Sequence, residues 1–459
     1  MKLIVIGGVA GGATAAARYR RLDKEAEIII LDKGSYMSFA NCGLPYYVGG
    51  VVPQIEDLLA ATPETMKKDY NIQVRLHHEV TRIHPALKKL AVTDLKSGEA
   101  YEETYDKLIL ATGSSPLKPP IPGIDGENIF PLWTIPDAQS ILQWIDKRSP
   151  KSAAIIGGGF IGMEMAENLH RQGLKVTVVE MSDQVMAPLD KEVAQIVHDH
   201  LKEKGVELLL GDGVQSFSTD NGQTRITTQS GRVLTADLVI LSIGVRPNSQ
   251  LAKDAGLAVG ERGGVVVSES METSDPDIYA VGDVIEVVDF VLKNKTMIPL
   301  AGPANKQGRI VANVLAGLED RYTGTQGTSA ARIFDLDVCA TGANEKTLQR
   351  QGLEKGKDYE VLHMDAANHA GYYPGMESLH IKVVFSLKDG KLLGAQVVGG
   401  SGSDKRIDIL STIIRYGGTV QDLKHLEFAY SPPFSTAKDP LNILGYLAEK
   451  YVEGLPGVL

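Results

Sequence analysis

The sequence predicts an α/β protein with two Rossmann-like dinucleotide-binding domains and a C-terminal α+β domain. Three observations carry that prediction. A short apolar strand running into a glycine-rich loop occurs twice, first at Leu3-Ile4-Val5-Ile6 and again at Ala153-Ala154-Ile155-Ile156. Each loop opens a helical stretch and is followed by a strand ending in a carboxylate, Asp32 or Glu180, about 20 residues further on. From about Arg321 onward no loop of this kind recurs, and strand-like and amphipathic stretches take over.

Composition bounds the reading. A chain of 459 residues suggests roughly two to four domains, and its 43% hydrophobic content lets each build a core. The net charge of −10 argues against a nucleic-acid surface. Two distant cysteines, Cys42 and Cys339, offer no disulfide framework, which fits a reducing cytoplasm. No signal peptide is expected before the first strand. No apolar run reaches the roughly 18 residues of a membrane span, so no membrane partner is expected either.

In the first unit, Lys2 to Ile6 is the mostly apolar run of a parallel strand covered on both faces. Gly7-Gly8-Val9-Ala10-Gly11-Gly12 follows, then an alanine-rich helix from Ala13 to about Leu22, then a strand from Glu27 to Leu31 ending at Asp32. Such glycines let a helix start approach a pyrophosphate, and the acidic residue suits a ribose hydroxyl. The match departs from G-x-G-x-x-G at Val9, and alone such a motif is weak. The second copy is complete: Gly157-Gly158-Gly159-Phe160-Ile161-Gly162, a helix from about Met163 to Gln172, and Lys175 to Val179 ending at Glu180. A carboxylate there accepts from both ribose hydroxyls of NADH and repels the 2′-phosphate of NADPH. Met181-Ser182-Asp183-Gln184 supplies no cation to reward that phosphate. NADH is therefore the expected donor, with NADPH at most tolerated.

Between the copies, Asp106 to Ser114 reads as a strand ending in Ala111-Thr112-Gly113, and Pro116, Pro119, Pro120 and Pro122 mark a boundary. A related run from Asp237 closes the second unit at Gly244. The expected divisions are a discontinuous first domain at 1–115 and 245–320, a second domain at 116–244, and a C-terminal domain at 321–459. On the return, Tyr279-Ala280-Val281-Gly282-Asp283 ends a strand in a carboxylate able to meet a polyol such as a ribityl chain. An ordinary turn is the simpler reading in isolation. In the last domain, Ala331 to Val338, His380 to Leu387 and Leu392 to Val398 read as strands, and Asp404 to Tyr416 as a helix.

The most informative stretch is Ser38-Phe39-Ala40-Asn41-Cys42-Gly43-Leu44-Pro45-Tyr46-Tyr47. A lone cysteine is usually inert packing. This one follows a nucleotide unit by about ten residues and precedes a helix start at Leu44-Pro45, whose amides would lower the thiol pKa. It reads as a thiolate aimed at a cofactor. Cys339, in an apolar strand context, reads as a buried small residue. No pair among the ten histidines has trusted ligand spacing, and no metal is predicted.

Two nucleotide units, the cysteine, the Ala-Thr-Gly and Gly-Asp strand ends and the C-terminal α+β domain together resemble the FAD-dependent pyridine nucleotide-disulfide oxidoreductases. Within them, Ser-Phe-Ala-Asn-Cys-Gly-Leu-Pro-Tyr is similar to the single-cysteine signature of coenzyme A-disulfide reductases and NADH-dependent persulfide reductases. His369-Ala370-Gly371-Tyr372-Tyr373-Pro374-Gly375 and Ala429-Tyr430-Ser431-Pro432-Pro433-Phe434-Ser435 match further stretches of that branch.

The resemblance implies that Cys42 is a redox thiol forming a mixed disulfide with CoA, with Tyr372 and Tyr430 assisting and Tyr430 reaching across a homodimer interface. It implies FAD contacts at Gly7, Ala10, Gly11, Gly12, Asp32, Lys33, Asn41, Ala111, Thr112, Gly113, Gly282, Asp283 and Ala301. The nicotinamide nucleotide would meet Gly157, Gly159, Phe160, Ile161, Gly162, Glu164, Glu180 and Gly244. CoA would meet Thr14, Arg18, Arg21, Ser38, Asn41, Asn305 and Lys438, with Arg18 and Arg21 sharing a helix face as a phosphate clamp. NADH oxidases and peroxidases of the branch, which use a cysteine sulfenic acid, carry a histidine where Ala10 stands; the alanine favours the reductases. Many persulfide reductases continue into a rhodanese domain, whereas this sequence stops shortly after Gly454-Leu455-Pro456-Gly457.

Overall fold

A computed structural model describes residues 1–452, so the Gly454–Gly457 stretch lies outside the described residues. The first unit is a five-stranded parallel sheet in the order Ile278–Ala280, Lys107–Leu110, Lys2–Ile6, Glu27–Asp32, Gln73–Leu76. All but the edge strand Gln73–Leu76 are mostly buried, as parallel strands covered by helices must be. The helix Ala10–Leu22 starts three residues earlier than the alanine run suggests, with Val9 as its N-cap at φ −92°. A β-branched residue is tolerated there because only the preceding turn needs a left-handed backbone. Gly7 supplies it at φ +100°.

The second unit repeats the plan with strands in the order Glu207–Leu210, Lys175–Glu180, Ser152–Ile156, Leu238–Leu241, Ile129–Pro131, all parallel. Each unit also carries a three-stranded antiparallel sheet. Two short strands, Ser114–Pro116 and Val245–Pro247, pair antiparallel where the chain passes between the units. The helix Ala301–Leu315 packs closely on Ala10–Leu22: a Cβ at Gly308 would stand 2.4 Å from the Gly11 carbonyl oxygen, so only glycine allows the approach.

The C-terminal unit is a five-stranded antiparallel sheet in the order Ser329–Ile333, Leu336–Gly342, Leu392–Gly399, Ser378–Ser386, Tyr359–Ala367, backed by the helices Ser403–Arg415 and Pro440–Val452. The expected strand from Ala331 to Val338 is instead a hairpin. Phe334 turns it at φ +59°, and Ile333 pairs with Leu336. The turn is Phe334-Asp335, with no glycine, asparagine or proline, and the Phe334 ring packs edge-on against His170 of the second unit.

The three units meet in one apolar cluster. Leu44 and Val48, just after Cys42, are buried with Ile155, Met163 and Val178 of the second unit and with Ile333, Val338 and Val398 of the C-terminal sheet. A buried Lys382 ammonium adds a polar tie, bonding Asp190 at 2.7 Å, Glu345 at 2.6 Å and Glu192. Three carboxylates therefore converge on a lysine. No helix among the described residues is long and apolar enough to cross a membrane.

Candidate active site

Both glycine loops are built alike. Gly7 N–H donates to the Leu31 carbonyl and Gly157 N–H to that of Val179, at 2.8 and 2.9 Å. A Cβ at Gly12 would lie 1.9 Å from the Gly7 oxygen, and one at Gly162 2.0 Å from the Gly157 oxygen, so these glycines seat the helix on its strand. At Gly159 a Cβ would meet nothing within 4 Å, which leaves room for a phosphate at the helix start. The strand-end carboxylates match as well. Asp32 accepts from the Gly8 and Gly34 amides, both at 2.7 Å, and Glu180 from those of Gly158 and Ser182 at 2.6 and 2.7 Å. Each oxygen keeps a lone pair for a ribose hydroxyl. Burial nevertheless holds the Asp32 carboxyl above its usual range.

The remaining first-unit positions gather at the same sheet end. Ala111 N–H donates to the Ile6 carbonyl and Val281 N–H to that of Leu110. Gly113, at φ +63°, faces open space. Asp283 accepts from Ser114 Oγ at 2.8 Å, and its carboxyl is raised by burial. Asn248, which the sequence did not single out, bonds the Thr112 carbonyl through Nδ2 and accepts from Ser115 Oγ through Oδ1. Ala301 opens the helix Ala301–Leu315. Lys33 points outward to Glu79, and Asn41 donates to the Trp133 carbonyl at 3.2 Å.

The cysteine segment is pinned from both sides. Ser38, left-handed at φ +45°, donates its N–H to the Gly8 carbonyl at 2.8 Å and accepts from Ala60 N–H at 2.7 Å. A 3-10 turn at Asn41–Gly43 leads into the helix Leu44–Val48, with Pro45 in its first turn, where a missing N–H costs nothing. That helix lies on the second unit: Gln172 Nε2 donates to the Val48 carbonyl at 3.1 Å, and a Cβ at Gly49 would strike Asn168 Oδ1 at 1.9 Å.

Cys42 is exposed at this junction and Cys339 is buried. Burial pushes the Cys339 thiol up to about 12. The expected lowering at Cys42 is corrected. Surrounding protein raises its thiol first, and the carboxylates of Glu164 and Asp283 raise it further. A single backbone hydrogen bond opposes them. Glu164 itself is raised to about 7 by burial and by Glu167, while a hydrogen bond with Tyr46 works the other way. The nucleotide-unit residue Glu164 thus belongs electrostatically to the thiol, a role only its position in the fold reveals.

The positions that resemblance assigned to CoA divide. Thr14 Oγ1 donates to Asn305 Oδ1 at 2.6 Å and Arg18 Nε to Asn313 Oδ1 at 2.9 Å, along the seam of the two packed helices. Arg21 turns instead to Tyr70, bonding its hydroxyl at 3.0 Å and stacking on its ring. The two arginines therefore reach for different neighbours and form no ready clamp. Lys438 is exposed. Tyr372 and Tyr430, 77% and 49% exposed, pair within one chain, their hydroxyl oxygens 3.5 Å apart.

Two dinucleotide-type glycine loops, with an exposed thiol on the segment where their units meet, point to the class of pyridine nucleotide-dependent flavoprotein oxidoreductases. Comparison with known proteins agrees. The model of the pyridine nucleotide-disulphide oxidoreductase family matches residues 1–308, and that of its dimerisation domain matches residues 328–440. The chain belongs to this family. It is 36% identical to a coenzyme A disulfide reductase of Staphylococcus haemolyticus over 97% of this chain and 99% of that one. It is 35% identical to an NADH oxidase of Methanocaldococcus jannaschii over 96% and 97%. Among solved structures, reduced Bacillus anthracis CoADR-RHD superposes with a TM-score of 0.96 at 49% identity, over 99% of this chain and 81% of that one. A NAD-dependent persulfide reductase from A. fulgidus gives 0.94 at 37%, over 98% and 83%. The chain is an NAD(P)H-dependent flavoprotein disulfide reductase.

Proposed function

We propose that this chain reduces CoA disulfide, or CoA and other low-molecular-weight persulfides and polysulfide, with NADH through Cys42. The observation that carries the reading is an exposed thiol that feels the carboxylates of both Glu164 in the second unit and Asp283 in the first, on a segment whose next helix packs on the second unit. The open backbone at Gly113 and the carboxylates of Asp32 and Asp283 fit FAD. The helix start at Ala10 and Gly11, which Gly12 seats against Gly7, would hold its pyrophosphate, Thr112 and Ala301 its neighbouring groups, and Asp283 its ribityl chain. When bound, FAD relays two electrons from the nicotinamide to sulfur. The second cradle holds NADH, with Glu180 accepting from the ribose hydroxyls.

The thiolate of Cys42 attacks one sulfur of the incoming S–S bond. That bond breaks, one CoA leaves with the electron pair, and Cys42 remains joined to the other half as a mixed disulfide. Two electrons and a proton then free the second CoA thiol and restore the Cys42 thiolate. Tyr430 and Tyr372 donate hydrogen bonds or a proton to the departing thiolate. Tyr372, Tyr373, Met376, Tyr430 and Phe434 are all exposed on two loops that touch through Tyr372 and Tyr430, which suits a homodimer in which Tyr430 serves the partner's thiol. Thr14, Arg18, Asn305 and Ser38 line the approach for CoA, and two unbridged cysteines suit a reducing cytoplasm.

The relative named NADH oxidase supports a second reading, in which a Cys42 sulfenic acid turns over with oxygen or peroxide. Cys42→Ser tests the thiol mechanism. It should bind FAD and accept electrons from NADH while losing CoA-disulfide turnover; retained turnover would refute the mechanism. Equal NADH consumption with oxygen alone in the unaltered enzyme would favour the oxidase.

A further inference from the structure

The loops that carry Tyr372 and Tyr430 share one buried root. Arg406 is fully buried on the helix Ser403–Arg415. Its Nη2 donates to the Asn368 carbonyl at 3.1 Å, at the base of the Tyr372 loop, and to Asp439 Oδ2 at 3.0 Å, beyond the Tyr430 loop. Ser435, also fully buried, closes the Tyr430 loop and donates to the same Asp439 oxygen at 2.6 Å. Nη1 donates to the Gly402 carbonyl at 3.1 Å. The loops touch directly as well, through Ala370 N–H on the Pro432 carbonyl at 3.2 Å.

A buried ion pair is a poor way to add stability, since an apolar plug of similar volume often does as well or better. It does fix geometry. The planar guanidinium offers donors at set angles, which a lysine ammonium cannot reproduce. Here one fork bonds the backbone before Tyr372 and the carboxylate that holds the end of the Tyr430 loop. Shifting either loop breaks a bond to a group that has no water to replace it.

We propose that Arg406, clasped by Asp439 and Ser435, is a positioning residue that holds Tyr372 and Tyr430 as one unit against the departing thiolate. The inference rests on the proposed role of the tyrosines. It adds that their effect depends on a side chain touching neither substrate nor cofactor.

The test separates the half-reactions by rapid mixing of FAD-loaded enzyme. Arg406→Lys keeps a charge opposite Asp439 but loses the fork, and Asp439→Asn keeps the shape and the Ser435 bond but loses the charge. Each should slow oxidation of the reduced enzyme by CoA disulfide by about 10- to 100-fold, since a misplacement of about 1 Å in an acting group can cost about 100-fold. Flavin reduction by NADH and its dependence on NADH concentration should stay at the wild-type values. Neither change should add to the defect of Tyr430→Phe in the double variants. Wild-type oxidation rates in both variants would overturn the inference, as would equal slowing of both half-reactions. Loss of FAD or of the folded protein in both variants would also overturn it, by making the network a device of the fold. A wild-type rate in Tyr430→Phe alone would instead sink the tyrosine assignment itself, whatever the Arg406 variants do.

Discussion

Alanine at Gly162 and at Gly159 should separate two functions of the second glycine loop. A Cβ at Gly162 would stand 2.0 Å from the Gly157 oxygen and 2.8 Å from Ser242 Oγ, where real Cβ contacts essentially never fall below 3.0 Å. The helix start must retreat by about 1 Å, and overpacking of that kind costs about 1–3 kcal/mol. Carried into nucleotide affinity at about 1.4 kcal/mol per decade, this amounts to NADH binding weakened by about 5- to 150-fold. The melting temperature should fall too. A Cβ at Gly159 meets no protein atom within 4 Å, so Gly159→Ala should melt like wild type and still bind NADH poorly, because its methyl occupies the space kept for phosphate. Flavin reduction followed against NADH concentration, with a melting curve for each variant, reads both effects. Wild-type NADH affinity in Gly162→Ala would refute the cradle. A large loss of stability in Gly159→Ala would refute the claim that its surroundings are open.

Other outcomes follow from the same structure. Glu164→Gln removes a like charge beside the thiol, so the Cys42 pKa should fall. The effect should be greatest above pH of about 7, where Glu164 is ionised, and iodoacetamide alkylation against pH would show the profile moving to lower pH; an upward move contradicts the assignment. NADH should be preferred over NADPH, and Glu180→Ala should narrow that preference by about tenfold; steady-state rates with both donors check it, and an original preference for NADPH would count against Glu180. Lys382→Met strands Asp190, Glu192 and Glu345, of which Glu192 is half exposed. The expected cost is about 3 kcal/mol, visible in denaturant unfolding, and an unchanged midpoint would show the cluster to be balanced without the lysine.

The nucleotide units were legible because their glycines are demanded locally. Gly7 and Gly157 need left-handed turns, and Gly12 and Gly162 need contact with a carbonyl oxygen, so the pattern stays visible whatever surrounds it. Val9 shows the limit of the motif, because its position needs no special backbone angle. Cys42 was legible as an outlier, but its electrostatics were not. The carboxylates that raise it lie 122 and 241 positions away along the chain, at Glu164 and Asp283, and only the fold brings them together. Arg18 and Arg21 illustrate the converse: helical spacing placed them on one face, yet Asn313 and Tyr70 draw them to different partners. The Phe334 turn escaped notice because an aromatic residue occupies the left-handed position.

Intact mass under non-reducing conditions, taken after incubation with CoA disulfide, tests the central claim most directly. The account predicts that the chain gains one CoA, that the gain maps to Cys42, and that NADH removes it from FAD-loaded enzyme. A mass unchanged by CoA disulfide, or an adduct on Cys339 alone, would contradict it.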